Sequence, residues 1–183
     1  TGLPNRRSFD EMMSRRVKRD AQSFGLLVID IDNLKIVNDT MGHVVGDSLI
    51  QEVANRLKET VPSMSCRLGG DEFAVLADGC DDHADLTAMA GRIVSAMQAS
   101  FECSGNTIVP QITIGGVVYG VDGVTADVLR QNADFALYHA KETNRGGYVP
   151  FNQKLRTSIS LRMSMIREVG DALTECRIFP YYQ

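Results

Sequence analysis

The stretch FGLLVIDI, residues 24–31, decides which kind of sheet the chain can build. It is almost wholly apolar, and such a run is typical of a central strand that is covered on both faces. The run ends abruptly in Asp30 and Asp32, so two acidic side chains emerge where a rigid strand stops. We therefore expect a sheet with this strand inside it and helices packed against its faces.

Helical and β-rich segments alternate around this strand. In chain order the sequence predicts a helix from Asn5 to about residue 22, the central strand, a short helix over 33–40, a longer amphipathic helix over 45–57, a hairpin of strands 66–68 and 73–77, a helix over 84–102, a β-rich segment over 107–119, a helix that Gly146-Gly147 ends, and an edge strand over 148–151. Gly115-Gly116 is interpreted as a β-bulge. This order predicts an α+β fold in α/β layers, with a mixed central sheet surrounded by helices.

The last part of the chain has a different pattern. Residues 153–176 carry apolar side chains at helical spacing, and residues 178–182 begin an extended stretch. We interpret 1–152 as one domain and 153–183 as a connecting helix with the start of a second, truncated domain. A dimerising or signalling helix over 153–176 is the alternative. Because Thr1 opens in the middle of a motif, we expect the chain to be a piece of a longer protein.

Composition and charge exclude several classes of function. The 183 residues are 44% hydrophobic and carry a net charge of −4, so the chain folds but lacks the basic excess that general nucleic-acid binding requires. No apolar run approaches the ~20 residues of a membrane span, so no membrane contact by this segment is expected. The four cysteines lack zinc-ligand spacing, which favours reduced thiols and a cytoplasmic location, with the cytoplasmic part of a membrane-anchored protein as an alternative. P-loop and Rossmann motifs do not follow any predicted strand.

The turn of the predicted hairpin carries an acidic pair, in RLGGDEF, residues 67–73. Its two glycines permit positive φ angles and let a ligand approach the backbone closely. Asp71 and Glu72 follow at the start of the returning strand, where alternation directs their side chains to opposite sides. The two acids are therefore not expected to bind the same ion, and a hairpin tip with solvated acids is the alternative.

A metal site is predicted where the central strand ends. Ligand sites of open sheets lie beyond the ends of strands. If a neighbouring strand brings Asp71 beside Asp30, the two carboxylates suit Mg²⁺, which binds one or two carboxylates together with waters and substrate phosphates. The alternative is that Asp30 and Asp32 only terminate the strand.

Two further groups of residues suit a nucleotide. Lys141 and Arg145 lie four apart near a helix end, where they share a face and can bind phosphate, although the helix dipole alone also favours cations there. Asn38 and Asp47 flank His43. An aspartate accepts hydrogen bonds from N1–H and the 2-amino group of guanine and rejects adenine, but an acid in a first helical turn is also favourable by itself. A capping or packing role for His43 is as plausible as substrate contact.

Together these motifs resemble the GGDEF domain of diguanylate cyclases, from Thr1 to about Asn152. The segments that carry the resemblance are TGLPNRR (1–7), DIDNLK (30–35), ND (38–39), GH (42–43), GD (46–47), GGDEF (69–73), TIG (113–115), AD (133–134), ALYHAK (136–141) and Arg145. Phe179 and YYQ (181–183) resemble the first strand of an EAL phosphodiesterase domain. The parent protein would then be a GGDEF–EAL tandem.

The resemblance implies a fold related to nucleotidyl cyclase catalytic domains, with a ferredoxin-like core. It implies that two GTP molecules are joined into cyclic di-GMP with release of two pyrophosphates. Because each subunit would hold one GTP, a two-fold homodimer is required for the reaction. By position, Asp30, Asp71 and the Ile31 carbonyl would hold Mg²⁺, or Mn²⁺ as an alternative.

Further site residues carry over by position in the same way. Asn38 and Asp47 would bind guanine, with His43 nearby. The catalytic residues would be Asp71, Glu72 and Lys35, with Glu72 either deprotonating the 3′-hydroxyl or positioning the site. The triphosphate would be held by side chains and backbone N–H groups at one helix start and one helix end: Asn33, Leu34, Lys35, Lys141 and Arg145.

The chain departs from the family pattern before the glycines. Thr60 and Ser63 stand where the RxxD product-inhibition motif would be, so feedback inhibition at that site is expected to be absent. An alternative function is a catalytically silent GTP-binding module that regulates a neighbouring EAL phosphodiesterase domain.

Overall fold

A five-stranded mixed sheet lies at the centre of the computed structural model, which describes residues 1–19, 23–61, 64–155 and 157. The helices are α1 (Arg6–Arg19), α2 (Leu34–Met41), α3 (His43–Thr60), α4 (His83–Ala96) and α5 (Ala126–Thr143). The strands are β1 (Phe24–Ile31), β2 (Ser65–Gly69), β3 (Glu72–Asp78), β4 (Phe101–Cys103), β5 (Asn106–Ile108), β6 (Ile112–Val118) and β7 (Tyr148–Pro150).

Strand β1 occupies the middle of the sheet, as its apolar sequence predicts. The strand order is β2-β3-β1-β6-β7, with β1 antiparallel to both β3 and β6, and with β7 parallel to β6 at one edge. All eight residues of β1 are buried. The α+β fold with a mixed sheet is thereby confirmed, and its register places Asp30 opposite Glu72 on β3 and opposite Thr113 on β6.

Helices cover both faces of this sheet. Leu26 and Val28 of β1 pack in a cluster with residues of α1 and α5, whereas Leu27 and Ile29 pack in a second cluster with residues of α3 and α4. Successive side chains of a strand point to opposite faces, which explains this division. Asp30 follows the alternation of Leu26 and Val28, so it lies on the face that α1 and α5 cover.

The predicted β-bulge at Gly115-Gly116 is wrong. Both glycines pair in unbroken register with β1, opposite Val28 and Leu27. A Cβ on Gly115 would lie 2.2 Å from the backbone nitrogen of Leu137 and 2.6 Å from the carbonyl oxygen of Ala133. Gly115 therefore allows the backbone of α5 to approach β6 closely, which is the reason for a glycine inside a strand.

The prediction that a helix extends to residue 102 is also wrong. Helix α4 ends at Ala96, and Phe101 lies in β4, which forms a separate hairpin with β5. One guanidinium nitrogen of Arg56 on α3 donates to the carbonyl oxygens of Ala96, Met97 and Ala99, at 3.2, 3.2 and 2.6 Å. This contact satisfies carbonyls at the helix end and comes from a distant helix, so the local apolar spacing does not predict it.

Residues Thr1–Phe151 form one compact unit and Asn152–Gln183 a second. The predicted connecting helix over 153–176 lies mostly outside the described residues, and the extended stretch at 178–182 and Ser63 lie wholly outside them, so the predictions that rest on them stay predictions. No helix in the described part of the chain combines the length and the apolar character that crossing a membrane requires.

Candidate functional site

Two carboxylates come together where β1 ends beside the glycine turn. Asp30 is only 7% exposed, and the backbone N–H of Ile31 donates to the carbonyl oxygen of Asp71 at 3.1 Å, which ties the turn to β1. Burial raises the pKa of Asp30, and the charges of Asp71 and Asp32 raise it further. The fold therefore holds the backbone of Asp71 against β1, where its charge acts on the Asp30 carboxylate.

Lys141 reaches this carboxylate pair from the last turn of α5. Its Nζ lies 2.7 Å from Oδ2 of Asp30, and this contact lowers the pKa of Asp30 against the effect of burial. The helix dipole accounts for a cation at this end of α5, but not for its contact with a buried carboxylate. The cation predicted to hold phosphate and the carboxylate predicted to hold a metal thus occupy one place.

Asp32 anchors the loop that follows α5. The Thr113 hydroxyl donates to Oδ2 of Asp32 at 2.7 Å and accepts from the Gly146 N–H at 3.0 Å. Nε of Arg145 lies 4.0 Å from Oδ1 of Asp32. Thr113 is fully buried and was not predicted as a site residue, although a polar side chain in the apolar strand ITIGGVV is a signal that could have identified it.

The start of α2 faces the same loop. Arg145 donates to Oδ1 of Asn33 at 3.4 Å, and Asn33 has a left-handed backbone with φ of 59°. The Asn33 side chain makes no capping hydrogen bond to the first turn of α2. N–H groups at a helix start have no acceptor within the helix and attract anions. Leu34 is buried and Lys35 exposed, so the backbone and Lys35 are available to an anion.

Asn38, on α2, and Asp47, on α3, lie next to each other across the α2–α3 turn. The Asn38 amide packs so closely against Gly46 that a Cβ on Gly46 would lie 1.9 Å from its oxygen. Asp47 follows Gly46 directly, and Asp47 and His43 are exposed while Asn38 is half-buried. Asn38 lies five positions after Asn33, about 7.5 Å along the axis of α2, so one helix connects the two predicted subsites.

Glu72 has different neighbours from Asp71. It is the first residue of β3, and its Oε2 accepts from a guanidinium nitrogen of Arg6 at 3.2 Å. Gly69 and Gly70 before it have φ angles of +149° and +52°, so the turn needs glycine as the sequence predicted. The Glu72 carboxylate thus has its partner on α1, whereas the charge of Asp71 acts on Asp30.

The oxygen donors at the end of β1 fit a hard divalent cation. Mg²⁺ prefers oxygen ligands and typically takes one or two carboxylates, completed by waters and substrate phosphates. Asp30 and Asp71 supply such a pair. Among the residues that the structure describes, no group of three His, Cys, Asp or Glu side chains is close enough to hold a metal by itself. A metal held by this pair would need waters or phosphates to complete its coordination.

Comparisons with known proteins point to one family. The sequence profile described as "Diguanylate cyclase, GGDEF domain" matches residues 1–147. The chain is 33% identical, over its whole length, to 27% of MucR, a bifunctional diguanylate cyclase/cyclic di-GMP phosphodiesterase of Pseudomonas aeruginosa. Over 80% of its length it is 38% identical to 35% of the diguanylate cyclase TpbB of the same species. The chain thus spans only a minor part of the relatives it matches.

A solved structure shows the same fold. The crystal structure of the TpbB GGDEF domain superposes with a TM-score of 0.79 at 34% identity, covering 82% of this chain and 98% of that one. The match of the family profile spans most of the chain and includes both the carboxylate pair and the glycine turn. The chain therefore belongs to the GGDEF domain family of diguanylate cyclases.

Proposed function

We propose that this domain condenses two molecules of GTP into cyclic di-GMP. The observation that carries the proposal is the meeting of Asp30, Asp71 and Lys141 at the end of β1, with Lys141 Nζ 2.7 Å from Asp30. Carboxylates and a cation in one place suit a substrate that arrives as a metal-bound polyphosphate. Asn38 on α2 and Asp47 on α3, beside the α2–α3 turn, suit the guanine base.

Different residues would bind the metal and the triphosphate. Asp30 and Asp71, with the Ile31 carbonyl, would hold Mg²⁺ or Mn²⁺, which when bound neutralises phosphate charge and polarises the α-phosphate. The side chains and N–H groups at the start of α2 and the end of α5 hold the triphosphate: Asn33, Leu34, Lys35, Lys141 and Arg145. Since GTP brings about four negative charges to an acidic protein, local cations are needed in addition to the metal.

The reaction requires two copies of the domain. Each bound GTP presents its 3′-hydroxyl to the α-phosphate of the other, so two half-sites must face each other across a two-fold axis. Each 3′-oxygen forms a bond to phosphorus, its proton leaves to a base, and one pyrophosphate departs from each α-phosphate. Glu72 is the acid proposed to act on the 3′-hydroxyl. The dimer need only form in the reactive state.

Incubation of the purified chain with GTP and Mg²⁺ tests the proposal. We expect cyclic di-GMP and two pyrophosphates per product, measured by chromatography and a phosphate assay. The rate per protein molecule should rise with protein concentration, because the reactive species is a dimer. Absence of product at high protein concentration, with GTP and either metal in excess, would contradict the proposal.

Discrimination of the base gives a second prediction. Asp47→Asn replaces a carboxylate that accepts two hydrogen bonds with an amide that accepts at one atom and presents donors at the other. We expect the KM for GTP to rise about tenfold or more, since hydrogen bonds to charged groups contribute about 1.5–3 kcal/mol. ITP lacks the 2-amino group, so the ratio of kcat/KM for GTP to kcat/KM for ITP should decrease in this variant. Steady-state kinetics with both nucleotides measures this.

Asp39→Asn is the matched control for Asp47→Asn. Asp39 is an exposed acid on α2, so its replacement changes the net charge equally without touching the proposed base site. An unchanged GTP/ITP ratio of kcat/KM in Asp47→Asn, or an equal rise of the KM for GTP in both variants, would contradict the proposal that Asp47 binds guanine.

One comparison favours a second function, that of a GTP-binding regulator. MucR, named for both activities, matches the whole chain including residues 153–183. We propose that the parent protein is cytoplasmic in this region and carries an EAL domain that begins within residues 153–183, whose phosphodiesterase rate GTP binding controls. Titration of the full-length protein with GTP tests this: a phosphodiesterase rate that does not respond excludes the regulatory role.

A further inference from the structure

Two arginines open helix α1 in a place where the helix itself does not favour them. Arg6 and Arg7 are its first two residues, and its first turn contains no acidic residue. Backbone N–H groups make a helix start electropositive, so cations there are unfavourable. Asn5 already supplies the cap, because its side-chain oxygen accepts from the Ser8 N–H at 3.0 Å. The positions of both arginines therefore need another explanation.

Their guanidinium groups have different partners. Arg7 is exposed, and its Nε donates to Glu11 on the next turn of the same helix at 3.3 Å. Arg6 instead donates through Nε to the carbonyl oxygen of Leu68 at 3.1 Å and through Nη2 to Oε2 of Glu72 at 3.2 Å. The planar guanidinium of Arg6 thus bridges the turn of the β2–β3 hairpin. It binds a backbone carbonyl before the two glycines and a carboxylate after them.

The hairpin tip has further supports, one from the segment before α1 and one within the hairpin itself. The backbone N–H of Arg67 donates to the carbonyl oxygen of Pro4 at 2.9 Å, and the Arg67 guanidinium donates to the carbonyl oxygen of Gly70 at 2.8 and 3.2 Å. These contacts hold the backbone before the glycines and at the second of them. The polar contact that the structure gives for the Glu72 carboxylate is the hydrogen bond from Arg6. The Glu72 side chain is 45% exposed.

We infer that Arg6 is a positioning residue, which holds the Glu72 carboxylate in the orientation that the reaction uses. The inference rests on the proposed function, in which Glu72 acts on the 3′-hydroxyl. An ion pair as exposed as this one contributes little to stability, so stability does not explain an arginine at an unfavourable helix position. Residues that break a local rule in this way are expected near functional sites.

Kinetics of a small set of variants test this role. Arg6→Ala is expected to lower kcat about tenfold and to leave the KM for GTP unchanged, because Arg6 orients a catalytic group and does not bind the nucleotide. Arg7→Ala is the matched control, since it removes the same charge from the same helical turn, and its kcat should stay within about twofold of wild type. Arg6→Lys keeps the positive charge but not the guanidinium with its two parallel donors, so its kcat should lie between those of Arg6→Ala and the wild type.

A double-mutant cycle separates positioning from general disturbance. Glu72→Gln is expected to lower kcat about a hundredfold as a general base is lost, and Arg6→Ala should cause almost no further loss in that background. Additive losses, full recovery by Arg6→Lys, or an equal effect of Arg7→Ala would each overturn the inference. Equal unfolding temperatures of Arg6→Ala and Arg7→Ala are the check that both variants fold.

A second readout is independent of catalysis. Amide hydrogen exchange at residues 68–72 is expected to be about tenfold faster in Arg6→Ala than in Arg7→Ala, because the bond to the Leu68 carbonyl is lost. If the wild-type chain makes no cyclic di-GMP, the proposed function fails, and the exchange rates alone decide whether Arg6 holds the hairpin tip. If the wild type is active but exchange is equal in both variants, the inference about Arg6 fails and the proposed function stands.

Discussion

Asp71→Ala is expected to lower the rate of cyclic di-GMP formation about a thousandfold without unfolding the domain. Asp71 is one of the two carboxylates proposed to hold the metal, and loss of a metal that stabilises transition-state charge costs several kcal/mol, with about 1.4 kcal/mol for each factor of ten. The fold should persist because the Asp71 carbonyl, not its side chain, accepts the hydrogen bond from Ile31. Product formation at saturating GTP and Mg²⁺ measures the loss, and circular dichroism reports the fold.

Its control is an acid of equal charge outside the site. Glu59→Gln changes an exposed residue in the last turn of α3 and should leave the rate within about twofold, as expected for a surface substitution. Asp71→Ala should also not lower the unfolding temperature, because Asp71 repels the buried charge of Asp30. Equal product formation by wild type and Asp71→Ala would show that these carboxylates are not the reaction centre.

Gly115→Ala is expected to lower the free energy of unfolding by about 3 kcal/mol, the upper part of the range for overpacking a core. The added methyl would lie 2.2 to 2.7 Å from three backbone atoms of α5, two of Leu137 and one of Ala133. A rotamer change cannot relieve a contact with backbone, so the whole helix must move away from β6. Since α5 carries Lys141, activity should fall as well. Urea unfolding followed by circular dichroism measures the stability change.

Gly91→Ala is the control for Gly115→Ala, because it is the same substitution at a position with space for the added methyl group. Gly91 lies in the exposed part of α4, and a Cβ there would meet nothing within 4 Å. We expect the free energy of unfolding to rise by about 0.5–1 kcal/mol, because alanine loses less conformational entropy in a helix. Gly115→Ala as stable as wild type would mean that α5 does not pack against β6 as closely as the structure has it.

Lys141 also provides a favourable partner for a buried carboxylate at the end of the central strand. Asp30 lies in a place where burial favours the protonated form, and the Lys141 ammonium at 2.7 Å opposes that effect. The same ammonium is in reach of a polyphosphate bound at the carboxylates. One side chain is thus suited both to stabilising the folded domain and to binding its proposed substrate.

By itself the sequence determined the elements whose signals are local. The apolar run of β1, the glycine turn of the β2–β3 hairpin and the edge strand β7 follow from patterns within a few residues of each other. The short motifs along the chain likewise sufficed for the family. Only the tertiary structure decided the contacts between distant segments: Arg56 at the end of α4, α5 against Gly115, Thr113 with Asp32, and Arg6 with Glu72, the last 66 residues apart. Such contacts depend on how the helices pack on the sheet, and no spacing within the chain encodes that packing.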